Sequence, residues 1–300
     1  MKAETLKSQE YPALFCAADK ASAAAQEMSI KLSRLTLALL VLGAGFAAVS
    51  SPIQCVRSGF AVASAISVAL SLSLSIYLKI AKPEQIWYGG RAVAESAKSM
   101  TWRYMMAADP YFIDLGTEEA DRKFVSDLKS IVRERQQLAF GFGGEFSEQP
   151  QISAGMRALR SDTLEQRKSA YLADRISDQR HWYGRQAKSN RKQSSTYFVF
   201  ITVSQFLALV AAIMLVMHPG STIKLTGLFT SLASALIAWL QIKQHKEQAQ
   251  SYSVAELELG FIQERGQYVT NDRELSNFVG DAENAISREH TLWIARRDRA

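Results

Sequence analysis

The chain has 300 residues, of which 48% are hydrophobic and 21% charged, and it carries a formal net charge of +6 with a pI near 9.2. This composition excludes collagen-like and low-complexity proteins, and two cysteines, Cys16 and Cys55, are too few for a disulfide framework. The positive charge leaves two classes of partner, a nucleic acid or a membrane surface rich in anionic lipid.

Two uncharged stretches lie in the first third of the chain, at about residues 35–51 and 58–78. A short segment that contains Pro52 and Arg57 separates them. A helix needs about 20 apolar residues to cross the hydrocarbon core of a bilayer. The two stretches therefore predict a first transmembrane helical hairpin.

The second of these stretches places four serines on one face of a helix, because they follow each other in steps of three or four residues. They are Ser64, Ser67, Ser71 and Ser75. Hydroxyl groups on one face can line a hydrated pore when several copies surround an axis, or they can pack helices closely together. The sequence leaves both interpretations open.

Charged residues follow the second stretch within a few helical turns. Arg91, Glu95 and Lys98 lie there, and Glu256 occupies the corresponding place after the last uncharged stretch. Such residues can form ion pairs that shift between states and gate a channel. They can equally be solvated pairs on a helix surface, which contribute a few tenths of a kcal/mol.

Two further uncharged stretches, at about residues 197–217 and 222–242, predict a second transmembrane hairpin. The last of them carries Thr226, Thr230 and Ser234 at steps of four. These three hydroxyl residues are candidates for pore lining together with the four serines, and packing is again the alternative.

Basic residues cluster at the ends of the predicted spans that lie opposite to the hairpin tips. The tips themselves contain only two basic residues, Arg57 and Lys224. The positive-inside rule then places the N-terminus, the middle segment and the C-terminus in the cytoplasm. Because this distribution accounts for the net charge, we expect a lipid bilayer as the partner and no nucleic acid.

Short sequence motifs recur in the same order along the chain and predict a tandem duplication. Val93-Ala94-Glu95 after the second stretch matches Val254-Ala255-Glu256 after the fourth. The first unit is predicted over residues 1–140 and the second over 163–300, with a Gly- and Pro-containing linker at 141–162. Strand patterns are almost absent. The predicted fold is an all-α integral membrane protein with two tandem units, each a transmembrane hairpin with long cytoplasmic helices, and four transmembrane helices in total.

Each unit is also predicted to contain a helix that folds back. Thr117 and Asn271 have the residue types of helix N-caps, and Glu274 lies where a capping box requires it.

Signatures of catalysis are missing from the sequence. The four histidines are dispersed without metal-ligand spacing, and the glycines at 141–144 lack the Lys-Ser/Thr of a phosphate-binding loop. The sequence therefore predicts no catalytic residue, no metal site and no cofactor, and we expect the protein not to be an enzyme.

Five segments of the chain form a recognisable set: Tyr11-Pro12-Ala13, Trp87-Tyr88, Glu95-Ser96-Ala97-Lys98, Trp102-Arg103-Tyr104 and Ile286-Ser287-Arg288-Glu289-His290-Thr291. In these segments the chain resembles the SLATT family of two-transmembrane domains, which are associated with SMODS nucleotidyltransferases and SLOG sensors in bacterial conflict systems. The resemblance covers nearly the whole chain as two consecutive modules.

The resemblance implies a membrane effector that permeabilises the membrane when a cytoplasmic cue arrives. From it we expect an antiphage pore or ion channel that assembles as a homo-oligomer in the bacterial inner membrane. The cue is expected to be a separate cytoplasmic sensor protein or a nucleotide signal. The alternative is a non-conducting membrane scaffold whose cytoplasmic helices bind partner proteins.

Overall fold

A computed structural model describes residues 11–49, 51, 53–134 and 149–297, with the backbone alone for 288–297. Within these ranges the elements are helices, and the β-pairing consists of one isolated antiparallel bridge between Val49 and Ile223. The predicted all-α class is confirmed.

The helices, in chain order, are α1 (Ala13–Ala48), α2 (Gln54–Ala81), α3 (Pro83–Met105), α4 (Thr117–Glu134), α5 (Ala154–Ser161), α6 (Leu164–Ala170), α7 (Asp178–Met217), α8 (Leu225–Lys243), α9 (His245–Arg265) and α10 (Asp272–Arg297). A π-helical segment, Tyr171–Ser177, joins α6 to α7, and a short 3₁₀ turn, Gly266–Tyr268, follows α9.

Three helical stretches of the described chain are long and apolar enough, by length and composition, to cross a membrane. They are Ala13–Ala48, Gln54–Met105 and Leu164–Met217. They contain the second and third predicted spans and the first one as far as Ala48. The fourth predicted span coincides with α8, which has 19 residues. The fourth span and the layout of two hairpins stay predictions.

Each predicted hairpin ends in a single residue with left-handed backbone. Lys82 has a φ of 44° after α2, and Gln244 has a φ of 49° after α8. Their N–H groups donate to the carbonyls of Leu78 and Leu240, so each cap closes the last turn of its helix. The helices that were expected to continue out of the hairpins therefore end there, and α3 and α9 begin as separate helices.

The described residues form two compact units. One, the polar unit, comprises the described parts of Met1–Gln26, Glu84–Ala187 and Gln250–Ala300. The other, the span unit, comprises Glu27–Pro83 and Lys188–Ala249 and holds the predicted spans. Each unit takes residues from both predicted repeats.

Aromatic side chains from both repeats build the core of the polar unit. The ring of Tyr171 lies edge-on to Trp102 and to Phe278, with centroids 5.7 and 5.9 Å apart. Tyr104 packs on Phe124 at 4.9 Å. Trp102 and Tyr171 are fully buried, as expected for a helix-bundle core.

Close helix approach characterises the span unit. A Cβ atom added to Gly43 would lie 3.1 Å from a methyl group of Val68, so glycine lets α1 and α2 approach. At the hairpin tips the backbone N–H of Lys224 donates to the carbonyl of Ala48 at 2.8 Å. This bond joins the end of α1 to the start of α8.

The predicted linker lies partly outside the described residues, since 141–148 are not among them. Its described part contains α5, which is capped by the Ser153 hydroxyl accepting from the N–H of Met156 at 3.1 Å. The described part of this segment is thus partly helical, and its role as a linker stays a prediction.

The predicted caps have two outcomes. Asn271 is confirmed as the N-cap of α10, because its side-chain oxygen accepts from the N–H of Glu274 at 2.9 Å. Thr117 is wrong as a cap, because it is already helical and the carbonyl of Gly116 accepts the first bonds of α4.

Candidate functional site

Two of the four serines that were candidates for pore lining connect α2 to α1. The hydroxyl of Ser64 donates to the carbonyl of Gly43 at 2.8 Å, and that of Ser71 donates to the carbonyl of Thr36 at 3.1 Å. Ser71 is buried. Within one chain, this part of the face packs two helices together.

The other two serines bond within α2. Ser67 donates to Ala63 at 2.9 Å and Ser75 donates to Ser71 at 3.0 Å, each one turn earlier. Ser67 is buried and Ser75 is exposed. A pore formed by several chains is not present in a single chain, so pore lining by these serines stays a prediction.

The three predicted hydroxyl residues of α8 lie in two environments. The hydroxyl oxygen of Thr226 is buried and has no hydrogen-bond partner in the described part of the chain. Thr230 and Ser234 are exposed, and Thr230 donates to the carbonyl of Thr226 at 2.7 Å.

A stripe of small and polar residues runs along the exposed face of α8. Gly227, Thr230, Ser234 and Gln241 are all exposed and recur at steps of three, four and seven, with the exposed apolar Ile237 between the last two. We call these four residues the α8 polar stripe. The hydroxyl of Thr230 donates to the carbonyls of Thr226 and Gly227 of α8, and its side chain stays exposed.

The exposed face of α7 has the opposite character. Most of its outward side chains are bulky and apolar, and the exposed Thr202 and Gln205 are polar exceptions. The apolar ones include Phe198, Phe200, Phe206, Leu209 and Val216. Such a face is typical of contact with lipid tails. The α8 polar stripe is less suited to lipid tails than these aromatic and aliphatic side chains of α7.

The predicted gating residues around Arg91 form an ion-pair cluster. The guanidinium Nη2 of Arg91 lies 2.7 Å from a carboxylate oxygen of Glu95, and its Nη1 lies 3.5 Å from one of Asp19. Asp19 belongs to α1 and was missed in the sequence. Arg91 thus bridges α1 and α3 on a partly exposed surface.

Lys98 and Glu256 have other neighbours. The ammonium of Lys98 lies 5.9 Å from the ring centre of Tyr11, and burial, followed by the charge of Arg175, lowers its pKa. The carboxylate of Glu256 occupies the space beside Gly184, where an added Cβ would lie 2.7 Å from its Oε1.

A buried ion pair lies in the polar unit and was also missed. Arg175 donates from Nε and Nη2 to the two carboxylate oxygens of Glu283 at 2.9 and 2.7 Å. The hydroxyl of Tyr171 donates to the same carboxylate at 2.9 Å. Arg175 is 2% exposed and Glu283 is fully buried, so this pair is removed from water.

Two more buried arginines hold the C-terminal end of α3. Arg160 donates from Nη1 to the carbonyls of Tyr104 and Tyr111 at 2.9 and 2.8 Å, and Arg167 donates to the carbonyl of Met106 at 2.7 Å. Their positive charge lies at the negative end of the helix dipole. The segment from α5 to α6 is thereby fixed to α3.

Two family models match this chain. The model described as SMODS and SLOG-associating 2TM effector domain 3 matches residues 12–168, which is more than half of the chain. The chain belongs to the SLATT family. The model described as SMODS and SLOG-associating 2TM effector domain 1 matches residues 171–293, so the protein carries two tandem SLATT domains, as the duplication and the resemblance predicted. No curated protein and no solved structure matches the chain.

The buried arginines lie on both sides of the boundary between the two SLATT domains. Arg160 and Arg167 belong to the first matched range, and Arg175 belongs to the second. Their spacing gives no sequence signal, since Arg160 and Arg167 lie in two separate helices, α5 and α6. Arginine is more often a surface residue, which concealed them.

The four histidines of this SLATT protein are dispersed along the sequence and were not expected to bind a metal. Of them, His245 is buried, and its Nδ1 lies 2.7 Å from the side-chain oxygen of Asn190. Burial lowers the pKa of His245, so the neutral ring is favoured. Among the described residues, no group of three metal-ligating side chains is close enough to hold a metal ion.

Proposed function

We propose that this protein is a membrane effector of a bacterial antiphage conflict system and acts as an oligomeric pore or channel. SLATT domains are two-transmembrane effector domains associated with such systems. The observation that carries the proposal is the α8 polar stripe, which exposes hydroxyl and amide groups on a predicted span.

Polar groups that face hydrocarbon are unfavourable, so an exposed polar stripe on a span favours contact with water or with another helix. Several copies around an axis would bring Thr230 and Ser234 of each chain to a central path. A path lined by hydroxyl groups is weakly polar and uncharged. The serines of α2 would then support it by packing α2 on α1.

The same proposal places the protein in the inner membrane with both termini in the cytoplasm, because basic residues flank the predicted spans on that side. The polar unit would receive the cue, either from a separate sensor protein or from a nucleotide. The bridge from Arg91 to Asp19 and Glu95 would break or shift on opening, since it connects α1 with α3.

No catalytic step is part of the proposal. The four predicted spans contain no acidic residue, histidine or cysteine with which a membrane-embedded enzyme would act.

The proposal is tested by ion flux through liposomes that contain the purified full chain. A double variant, Thr230→Leu with Ser234→Leu, is expected to lower the flux by roughly tenfold, because apolar constrictions exclude water. The matched control is Thr202→Leu on α7, where the exposed hydroxyl donates to the carbonyl of Phe198 among bulky apolar neighbours. Equal flux in both variants, or liposomes that stay tight with each cue tried, would overturn the proposal.

A second candidate function is a non-conducting scaffold that assembles partners at the membrane. Thr226, Thr230 and Ser234 recur at steps of four, which is also the spacing of small residues in tightly packed transmembrane helix pairs. In that case the same leucine variants would weaken helix association and leave liposomes tight throughout. A single stoichiometric partner recovered with the intact protein would support this alternative.

A further inference from the structure

An apolar stripe lies on the exposed face of α9 in the polar unit. Val254, Leu257 and Phe261 recur at steps of three and four, and they are 57%, 65% and 72% exposed. These three residues are called the α9 stripe. They follow the last predicted span by several helical turns, so lipid tails are not their expected neighbours.

Two acidic residues flank the α9 stripe. Glu258 and Glu264 are exposed and lie on opposite sides of it on the helix surface. Neither carboxylate forms an ion pair within the described ranges. The exposed Arg265, one turn after Phe261, is paired with Asp281. An apolar centre between acidic borders is suited to a protein surface that is apolar and basic.

The exposed face of α4 has that chemistry. Arg122, Lys129 and Arg133 lie on one side of the helix, with the exposed Val125 beside them. None of the three basic groups forms an ion pair with another described residue. This set of four residues is called the α4 basic face.

The two surfaces match in length as well as in charge. Arg122 to Arg133 and Val254 to Glu264 each cover about three helical turns at a rise of roughly 1.5 Å per residue. Long basic side chains can lay their apolar stems over Leu257 and Phe261 while their charged ends reach Glu258 and Glu264.

We infer that the α9 stripe of one chain docks on the α4 basic face of a second copy. The interface joins two different surfaces, so each chain offers one of each, and its repetition gives a ring where the rotation between neighbouring copies closes. This inference depends on the oligomeric assembly in the proposed function, and it specifies which surfaces join the copies.

Disulfide cross-linking of the full chain in membranes tests the inference. In a background with Cys16→Ser and Cys55→Ser, one tagged copy carries Leu257→Cys and a differently tagged copy carries Val125→Cys. Oxidation is expected to give a dimer with both tags. The matched control replaces Val125→Cys by Lys123→Cys, on the opposite side of the exposed α4 surface, and is expected to give none.

Other occupants of the α9 stripe would give other results. Cross-linking of Leu257→Cys to itself would indicate a symmetric contact, and protection of that cysteine by lipid would indicate a membrane surface. Either result, or the absence of the mixed dimer, would overturn the inference.

Charge reversal gives an independent test through the mass of the assembly in mild detergent. Arg122→Glu with Lys129→Glu, and separately Glu258→Lys with Glu264→Lys, are each expected to lower the oligomeric fraction about fivefold. Combining all four changes is expected to restore it, which neither misfolding nor lost lipid binding would do. Failure of restoration would count against this interface.

Mass and cross-linking are measured without ion flux, so the two proposals fail separately. Cross-linked rings in tight liposomes would leave the docking surfaces in place and reject the channel. Ion flux through assemblies that do not form the α4–α9 cross-link would support the channel and reject these docking surfaces.

Discussion

The helices α3 and α9 occupy equivalent places in the two SLATT domains but have different surroundings. Each follows one left-handed residue, and Ala94 and Ala255 are buried in both. The valines before those alanines differ, because Val93 is fully buried while Val254 is 57% exposed. Equivalent positions in the two domains therefore belong to a helix that is packed on several sides, α3, and to a helix with one exposed face, α9.

This difference shows how the duplicated domains divide their tasks. The first domain supplies α3, which the buried arginines hold at its end, and so contributes the centre of the polar unit. The second supplies α9, whose free face keeps an apolar surface available. One of the two equivalent helices thus belongs to the core of the polar unit, and the other keeps one face exposed.

The largest expected difference in stability between α3 and α9 comes from placing a charge at their equivalent valines. Val93→Asp is expected to lower the free energy of unfolding by about 4 kcal/mol or more, because an unpaired carboxylate would be buried. Val254→Asp is expected to change it by about 0.5 kcal/mol or less. Thermal unfolding in detergent followed by circular dichroism measures both, and similar losses would show that the two helices are equally buried.

The next effect concerns two acidic residues of α10. Glu283→Gln leaves Arg175 buried without a counter-charge, so we expect a loss of roughly 3–5 kcal/mol of stability. Asp281→Asn removes an exposed pair with Arg265, which is worth about 0–1 kcal/mol. Denaturant unfolding of the two variants compares them, and an unchanged midpoint for Glu283→Gln would contradict the buried pair.

A pH dependence is expected from Tyr11 in the first domain. Burial raises the pKa of Tyr11 to about 12, above the value near 10 expected in the unfolded chain. The folded state therefore holds the proton more tightly, and this stabilisation is complete below pH 10 and lost as the pH rises towards 12. The loss of stability is about 3 kcal/mol.

Tyr11→Phe should reduce this alkaline loss of stability, which unfolding at a series of pH values measures. Other buried tyrosines, including Tyr104 and Tyr111, also have raised pKa values from burial and will keep part of the loss. Tyr268→Phe is the control, since Tyr268 is 80% exposed. Identical pH profiles for the Tyr11 and Tyr268 variants would argue against a buried Tyr11.

The smallest expected effect uses one glycine from each helix. A Cβ on Gly90 of α3 would lie 3.2 Å from the carbonyl oxygen of Ala18, so Gly90→Ala is expected to cost about 1 kcal/mol. Gly260 of α9 has its nearest neighbour, Arg180, at 3.5 Å, and Gly260→Ala should add about 0.5–1 kcal/mol through helix propensity. Calorimetry is expected to show a lower melting temperature for Gly90→Ala and a higher one for Gly260→Ala. A shift of both melting temperatures in the same direction would contradict the difference between α3 and α9.

The sequence was sufficient for the features that depend on composition and local order. Uncharged stretches predicted the long apolar helices, the absence of strand patterns predicted the all-α class, and repeated motifs predicted two tandem domains. Asn271 was recognisable as a cap because its side chain bonds only a few residues ahead.

Features that depend on distant residues were beyond sequence reasoning. Helix periodicity places Ser64 and Ser71 on one face but does not say that α1 covers it. Arg175 resembles a surface residue until Glu283, far along the chain, is known to face it. The left-handed residues Lys82 and Gln244 also escaped prediction, because glycine, the usual marker of that backbone, is absent there.

The mixed origin of the polar unit has a consequence for evolution and engineering. Because its residues come from both SLATT domains, neither domain alone contains the full aromatic core around Tyr171. The chain thus resembles a dimer whose two subunits have been fused, which fixes their ratio at one to one. If the gene were split between the domains, the two products would need each other to fold.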